Sequence, residues 1–304
     1  MMENKLRHQL RMKMNKMIEL INQQLLETIP DSALGTNLEE SMRYSLEAGG
    51  KRIRPVLLLE TLKMLSKNHT YTKGVRTALA LEMVHTYSLI HDDLPAMDDD
   101  DYRRGKLTNH KVYGEWKALL AGDALLTKAF NLINTDNAID AETKVALTFQ
   151  LSDASGHLGM IGGQTLDMES ENKKISLETL QQIHREKTGA LLSFAINAAA
   201  TIAKVDTEVS EILDTYSEHL GLIFQIKDDL LDVYGDVEKL GKPVGSDEKN
   251  HKSTYVTLLG LEKTEQRLQY HVEQANQCLK QLSDKQYDTT ELESLTQLFY
   301  KRDH

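Results

Sequence analysis

Apolar residues along this chain recur mostly at helical spacing. Leu38, Met42 and Leu46 stand four residues apart, and Gly49 and Gly50 follow as a natural helix stop. Pro55 lies near the start of the next apolar run, RPVLLLETLKML, where its missing N–H does no harm. The periodic segments predict helices over Leu6–Thr28, from Leu38 to the paired glycines, from Pro55, and over Val75–Asp93, Ala141–Met160 and Ser176–Ala203. Further helices are predicted over Val209–Val233, Thr264–Leu282 and Glu291–Arg302, the last opened by a capping box of Thr290 with Glu293. No stretch alternates convincingly with the period of a strand. The 16 residues between Lys187 and Lys204 carry no charge. That run falls short of the ~20 residues needed to span a bilayer and predicts a buried central helix inside a ring of others. The expectation is all-α, a single domain over residues 1–304 built from about ten or more helices.

Composition supports this class. The chain has four prolines, and 147 residues between Pro95 and Pro243 contain none, which leaves long stretches free to be helical. A net charge of −10 argues against nucleic acid as a partner. The single cysteine, Cys278, can form no internal disulfide, and no CxxC or HExxH spacing suggests zinc. The basic, amphipathic N-terminus lacks the apolar core of a secretory signal. A soluble, cytoplasmic protein without stable membrane insertion is expected.

Two acidic clusters interrupt the helical pattern. In FQIKDDLLD, Asp228 and Asp232 are separated by about 40° around a helix and Asp229 and Asp232 by about 60°. The three carboxylates thus share one face of an otherwise apolar segment, where they would repel one another. HDDLPAMDDDD has a longer spacing. On an ideal helix Asp98 would lie about 240° from Asp92, on the wrong side. Pro95 is expected to kink or end the helix and bring Asp98 round to Asp92 and Asp93, leaving Asp99, Asp100 and Asp101 without an assigned role. One such motif is often only a solvated helix face. Two, each following an apolar helix, leave both readings standing: solvated carboxylates, or oxygen-only sites suited to Mg²⁺, with Mn²⁺ as a substitute. Phosphate would bridge such a metal, and cations are at hand in GGKRIRP (Lys51, Arg52, Arg54), RRG (Arg103, Arg104), REKTG (Lys187, with Thr188), LGKPVG (Lys242) and HKSTY (Lys252).

GGKRIRP, HTYSLIHDDLPAMDDDDYRRG, GGQTLDM, REKTGAL, FQIKDDLLD and GKPVGSDEKNHKSTY occur in this order from Gly49 to Tyr255. In this the chain resembles the trans-polyprenyl diphosphate synthases, most closely the bacterial farnesyl-type enzymes. The resemblance implies an isoprenoid-synthase bundle around a large central cavity. It also implies three Mg²⁺ ions clamping an allylic diphosphate, with Asp92, Asp93 and Asp98 on one wall and Asp228, Asp229 and Asp232 on the other. Arg103, Lys187 and Lys242 would hold the same diphosphate. Lys51, Arg54, His85 and Arg104 would bind isopentenyl diphosphate in a separate metal-free pocket. Thr188 and Gln225 would lie near the developing carbocation, and Gln164 and Asp167 near the allylic site. Lys252 belongs to the same substrate-binding set, and Lys301 or Arg302 would help close the site.

The activity implied is condensation of isopentenyl diphosphate with dimethylallyl or geranyl diphosphate to (E,E)-farnesyl diphosphate, by ionisation, condensation and elimination. Tyr87 and Ser88 stand about one helical turn, ~5.4 Å, before Asp92, where bulk in the family limits chain growth. Tyr87 would act as the floor of a fifteen-carbon pocket. The alternatives are a geranylgeranyl diphosphate synthase or a non-catalytic helical regulatory subunit. Family members are usually homodimers.

Overall fold

The computed structural model describes residues 2–31, 34–68, 70–234 and 253–302, so Lys242 and Lys252 lie outside the described residues. The fold is all-α, and its main chain packs as two compact units. The first comprises Met1–Leu59 with Tyr71–Thr148, and the second Glu60–Thr70 with Phe149–His304.

The first unit contains α1 (Met2–Glu27), α2 (Leu38–Glu47), the start of α3 (Ile53–Leu65) and α4 (Val75–Asp92). A two-stranded ribbon follows, β1 (Tyr102–Arg103) with β2 (Lys106–Leu107), then α5 (Asn109–Tyr113), α6 (Glu115–Asn134) and the start of α7 (Ala141–Ser155). Its centre is α4, which is buried almost all round, from Thr77 through Val84 and again at Thr86, Tyr87 and Ile90. Leu57, Leu58, Leu59 and Leu81 are fully enclosed. Each such side chain stabilises the fold by roughly 1.5–3 kcal/mol relative to exposure.

The chief partner of α4 is α6, a helix that the apolar periodicity did not predict. Its buried positions, Ala118, Ala121, Gly122, Leu125, Ala129, Leu132 and Ile133, do follow a helical stripe. However, Trp116, Leu119 and Leu120 are apolar on an exposed face, and this second stripe blurs the period. Gly122 has a packing reason: a Cβ there would meet the His91 ring at 2.2 Å.

The second unit holds α8 (Met160–Glu169), α9 (Leu177–Ile183), α10 (Ala190–Ala203), α11 (Thr207–Tyr234), α12 (Tyr255–Leu259), α13 (Leu261–Asp284) and α14 (Thr290–Lys301). The expected central helix is α10, with nine buried positions from Leu191 to Ile202. The long helix predicted over Ser176–Ala203 is corrected, because a π-helical turn over His184–Gly189 separates α9 from α10. Such bulges often mark functional sites. The predicted Ala141–Met160 helix also ends early, at Ser155, and Met160 begins α8. The capping box of Thr290 with Glu293 does not form. Thr289 precedes the helix and its Oγ1 donates to Glu293 Oε1 at 2.7 Å, while Thr290 Oγ1 donates to Asp288. No helix among the described residues is long and apolar enough to cross a membrane.

Candidate functional site

Each unit carries one acidic motif with its own cations. In the first, α4 ends at Asp92 and the chain turns before Pro95 is reached. The break turns the main chain back on itself. The Asp98 N–H donates to the Asp92 carbonyl at 2.9 Å, and the Asp99 N–H to that of Leu94 at 3.2 Å. Asp98 is thereby folded back over the end of the helix that bears Asp92 and Asp93. Asp93 is buried and accepts from Arg103 Nε at 2.7 Å. Burial, the largest single influence, lowers the Arg103 guanidinium, but the bond and charge of Asp93 together with the charges of Asp100 and Asp92 hold the group above its ordinary value.

The ribbon explains how two adjacent arginines separate. Arg103 pairs with Lys106 across the ribbon, so Arg104 and Gly105 form a two-residue loop, with φ of +54° and +78°. Positive φ at both central residues is what a type I′ turn requires, the turn whose twist matches that of the strands. Arg103 points to Asp93, whereas Arg104 Nη1 donates to the Gly49 carbonyl. Asp100 and Asp101 gain a role that the sequence did not show. Their carbonyls accept from the Thr108 hydroxyl at 2.7 Å and the Thr108 N–H at 3.0 Å, and Lys111 lies 2.6 Å from the Asp101 carboxylate. They tie down the base of the ribbon.

A basic cluster surrounds Arg104. Gly49 and Gly50 adopt φ of +79° and +127°, and a Cβ at Gly50 would strike the Arg104 guanidinium at 2.5 Å. Lys51 is exposed and Arg54 half-buried beside them. Burial lowers the Arg54 guanidinium, Glu82 opposes that shift, and Arg104 adds to it. Burial and then Arg54 and Arg104 push His85 well below its ordinary value, so it is a neutral hydrogen-bonding group. Arg52, one of the cations in GGKRIRP, is turned inward instead: it is buried against Glu82 at 2.7 Å. Along α4, the Ser88 hydroxyl donates to the His85 carbonyl at 2.8 Å. Tyr87 is buried with its ring edge-on to His91, 5.5 Å between centroids. Burial, with Asp92 adding to it, raises its phenol to about 12.

In the second unit, a cavity of ≈ 270 Å³ is lined by Asp167, Lys187, Thr188, Gln225, Asp228 and Asp229, among others. With Ser253 and Thr254 also on its wall, it brings together residues from four separated sequence motifs. Lys187 sits in the π turn, and its Nζ donates to Asp167 Oδ2 at 2.6 Å. Gly163 makes this register possible: a Cβ there would fall 2.2 Å from the Lys187 backbone nitrogen. Gln164 is half-buried on α8 and does not line the cavity. His184 does line it, and no sequence pattern singled it out. Burial, chiefly, lowers its imidazole to about 3, so it too stays neutral.

The carboxylates of the second motif have different surroundings. Asp228 is half-exposed and accepts from Arg302 at 2.7 Å. Arg302 also donates to the Phe224 carbonyl and lies 4.0 Å above the Phe224 ring. Asp229 is buried and accepts the Tyr255 N–H at 2.7 Å, and Asp232 is buried as well. Among the described residues no three His, Cys, Asp or Glu side chains converge in a ready-made metal cage. The donor set of both motifs is nevertheless oxygen-only, which fits a hard divalent cation, with Arg103 and Arg302 standing as counter-charges to Asp93 and Asp228.

Residues 36–290 match the family described as polyprenyl synthetase. The chain is 49% identical over 269 residues to the farnesyl diphosphate synthase of Geobacillus stearothermophilus, covering 88% of this chain and 89% of that one. Among solved structures it is similar to a geranyltransferase from Legionella pneumophila, with TM-score 0.84, 32% identity and 99% of each chain covered. It is also similar to a geranyltransferase from Helicobacter pylori complexed with magnesium and isoprenyl diphosphate, with TM-score 0.82 and 32% identity over 94% of this chain and 97% of that one.

Proposed function

The protein belongs to the polyprenyl synthetase family, and from that premise we propose how its residues divide the work of a prenyltransferase. It condenses isopentenyl diphosphate with an allylic partner, dimethylallyl or geranyl diphosphate, to farnesyl diphosphate and diphosphate. Enzymes of this family generally use a divalent metal. Here Asp92, Asp93, Asp98, Asp228, Asp229 and Asp232 would hold Mg²⁺, three ions in the loaded state with Mn²⁺ as a substitute. Bound metal neutralises the charge that develops on the departing diphosphate.

Arg103 and Lys187, with Lys242 outside the described residues, add fixed positive charge toward the same leaving group. Such preorganised charge acts most strongly where ionisation creates new anion. Thr188 and Gln225 line the cavity beside Asp228, where their dipoles face the nascent allylic cation. Lys51, Arg54, Arg104 and neutral His85 take the diphosphate of the second substrate. That substrate's double bond attacks the cation, and the departing diphosphate accepts the proton lost afterwards. No protein nucleophile is needed. Tyr87 closes the hydrocarbon path one turn before Asp92 and favours the fifteen-carbon product over the twenty-carbon one.

The observation that carries this reading is the separation of Arg103 and Arg104 by one tight hairpin. One arginine is committed to an acidic motif and the other to a glycine-rich basic loop. Two diphosphates with different needs, one metal-bound and one not, match that division. The whole chain, residues 1–304, acts as one synthase domain in the cytoplasm. It works as a homodimer, for which the exposed stripe of Trp116, Leu119 and Leu120 on α6 supplies an apolar face. The direct test incubates the protein with isopentenyl diphosphate, Mg²⁺ and either starter, and identifies the product by mass. A fifteen-carbon diphosphate is expected. A twenty-carbon product would transfer the reading to geranylgeranyl diphosphate synthesis, and no condensation with either starter would overturn it.

A further inference from the structure

Arg52 has the residue type and position of a phosphate ligand, yet its side chain is 1% exposed and wholly engaged inside the protein. Its Nε donates to Asn22 Oδ1 on α1 at 2.8 Å, its Nη1 to Glu82 Oε1 on α4 at 2.7 Å, and its Nη2 to the Leu46 carbonyl at the end of α2. One guanidinium thus ties three helices to the loop that carries Lys51 and leads into the first turn of α3, where Arg54 lies. The loop does not lie in a relaxed conformation. Gly49, Gly50 and Arg52 all have positive φ, at +79°, +127° and +48°, and a non-glycine residue disfavours that region. Something must hold Arg52 there, and its three side-chain bonds do so.

Glu82 does more than anchor Arg52. Its carboxylate is 3% exposed, and it is the largest nearby charge acting on both Arg54 and Arg104. His85 lies three residues on, on the same side of α4, and stays neutral among these guanidiniums. A cluster of Arg52, Arg54 and Arg104 would repel itself without an internal anion. Burying an ion pair adds little net stability, but removing one partner leaves an uncompensated buried charge. Its use is therefore in fixing geometry.

Resting on the reading of this cluster as the metal-free diphosphate pocket, we infer that Arg52 and Glu82 are positioning residues for isopentenyl diphosphate. They touch no substrate. They hold the glycine-rich loop in its left-handed conformation and keep Lys51, Arg54, His85 and Arg104 assembled before the anion arrives. Loss of either therefore weakens binding of this substrate selectively and leaves the allylic diphosphate nearly unaffected.

The test uses Glu82→Gln and Arg52→Lys, with Asn22→Ala as a milder variant that removes one bond to Arg52 and buries no new charge. Isopentenyl diphosphate is titrated calorimetrically into each full-length protein without metal, and KM values for isopentenyl and geranyl diphosphate are measured with Mg²⁺. The expected result is binding and KM for isopentenyl diphosphate weakened about tenfold or more in the first two variants and less in the third. The KM for geranyl diphosphate stays within about twofold. Equal rises in both KM values, or unchanged isopentenyl diphosphate binding in Asn22→Ala and in whichever charge variants fold, would overturn the positioning role. Absence of metal-free binding by the unaltered protein would instead remove the pocket reading, and the inference with it.

Discussion

Gly163 offers the sharpest test of how the second site is built. A Cβ at this position would lie 2.2 Å from the Lys187 backbone nitrogen, 2.7 Å from its Cα and 2.8 Å from the Glu186 carbonyl carbon. All three are main-chain atoms of the π turn, so no side chain can swing away to relieve the contact. Ordinary contact needs about 3.4 Å or more, so α8 and the π turn must separate by roughly 1 Å. Overpacking of this kind costs about 1–3 kcal/mol. The displaced turn carries Lys187 and Thr188, and a 1 Å misplacement can cost on the order of 100-fold in rate. Gly163→Ala should therefore lower the melting temperature and reduce kcat far more than an ordinary surface substitution. Thermal melts by circular dichroism, with steady-state kinetics on the same samples, measure both effects. Gly189→Ala is the control: its φ is −67°, and the added Cβ would meet only the His184 carbonyl at 3.4 Å. A Gly163→Ala protein with unchanged melting temperature and kcat, or one no worse than Gly189→Ala, would refute the close-approach argument.

Other outcomes follow from the same geometry. Tyr87→Ala should lengthen the product to twenty carbons or more by mass analysis, and an unchanged fifteen-carbon product removes Tyr87 from the ruler role. Asp92→Ala and Asp228→Ala should each abolish turnover while far-UV circular dichroism keeps its helical amplitude. Stability should fall on mild acidification. Burial lowers His184 to about 3, and burial with His219 and Arg267 lowers His271 to about 4. An unfolded histidine titrates near 6.5, so the unfolded chain binds more protons below that pH. The contribution is full above about pH 6.5 and declines toward each folded value, by roughly 2 kcal/mol per histidine at pH 5. Urea melts between pH 7 and pH 5 measure it, and His271→Gln should flatten the dependence. A midpoint independent of pH in that range would refute the neutral assignment of these histidines.

Much of the helical layout was written in the apolar spacing, because a buried stripe imposes its period on the residues that fill it. α11 and α13 are of this kind, whereas α4 and α10, buried on nearly all sides, showed as long apolar runs instead. α6 was not legible because Trp116, Leu119 and Leu120 place a second apolar stripe on its exposed face. The ribbon was not legible either, since two-residue strands are too short to show alternation, although Arg104-Gly105 is a glycine-containing turn signal in hindsight. The π turn at His184–Gly189 left no trace in the pattern, because one extra residue per turn changes the register without changing composition.

By itself the sequence determined that the protein is helical, that it carries two carboxylate motifs with cations in a set order, and that Pro95 would break the first motif's helix. These follow from local physics: period, proline geometry and charge repulsion act between residues near in the chain. It did not decide which charges face ligands and which face the protein. Arg52 and Arg54 are two residues apart in one basic motif. Yet Arg52 is buried against Glu82, thirty residues away, while Arg54 stays half-buried in the cluster. Asp228 and Asp229 are adjacent, yet Arg302 engages one and the Tyr255 N–H the other. Adjacent side chains on a helix point about 100° apart, so packing of distant elements decides what each one meets.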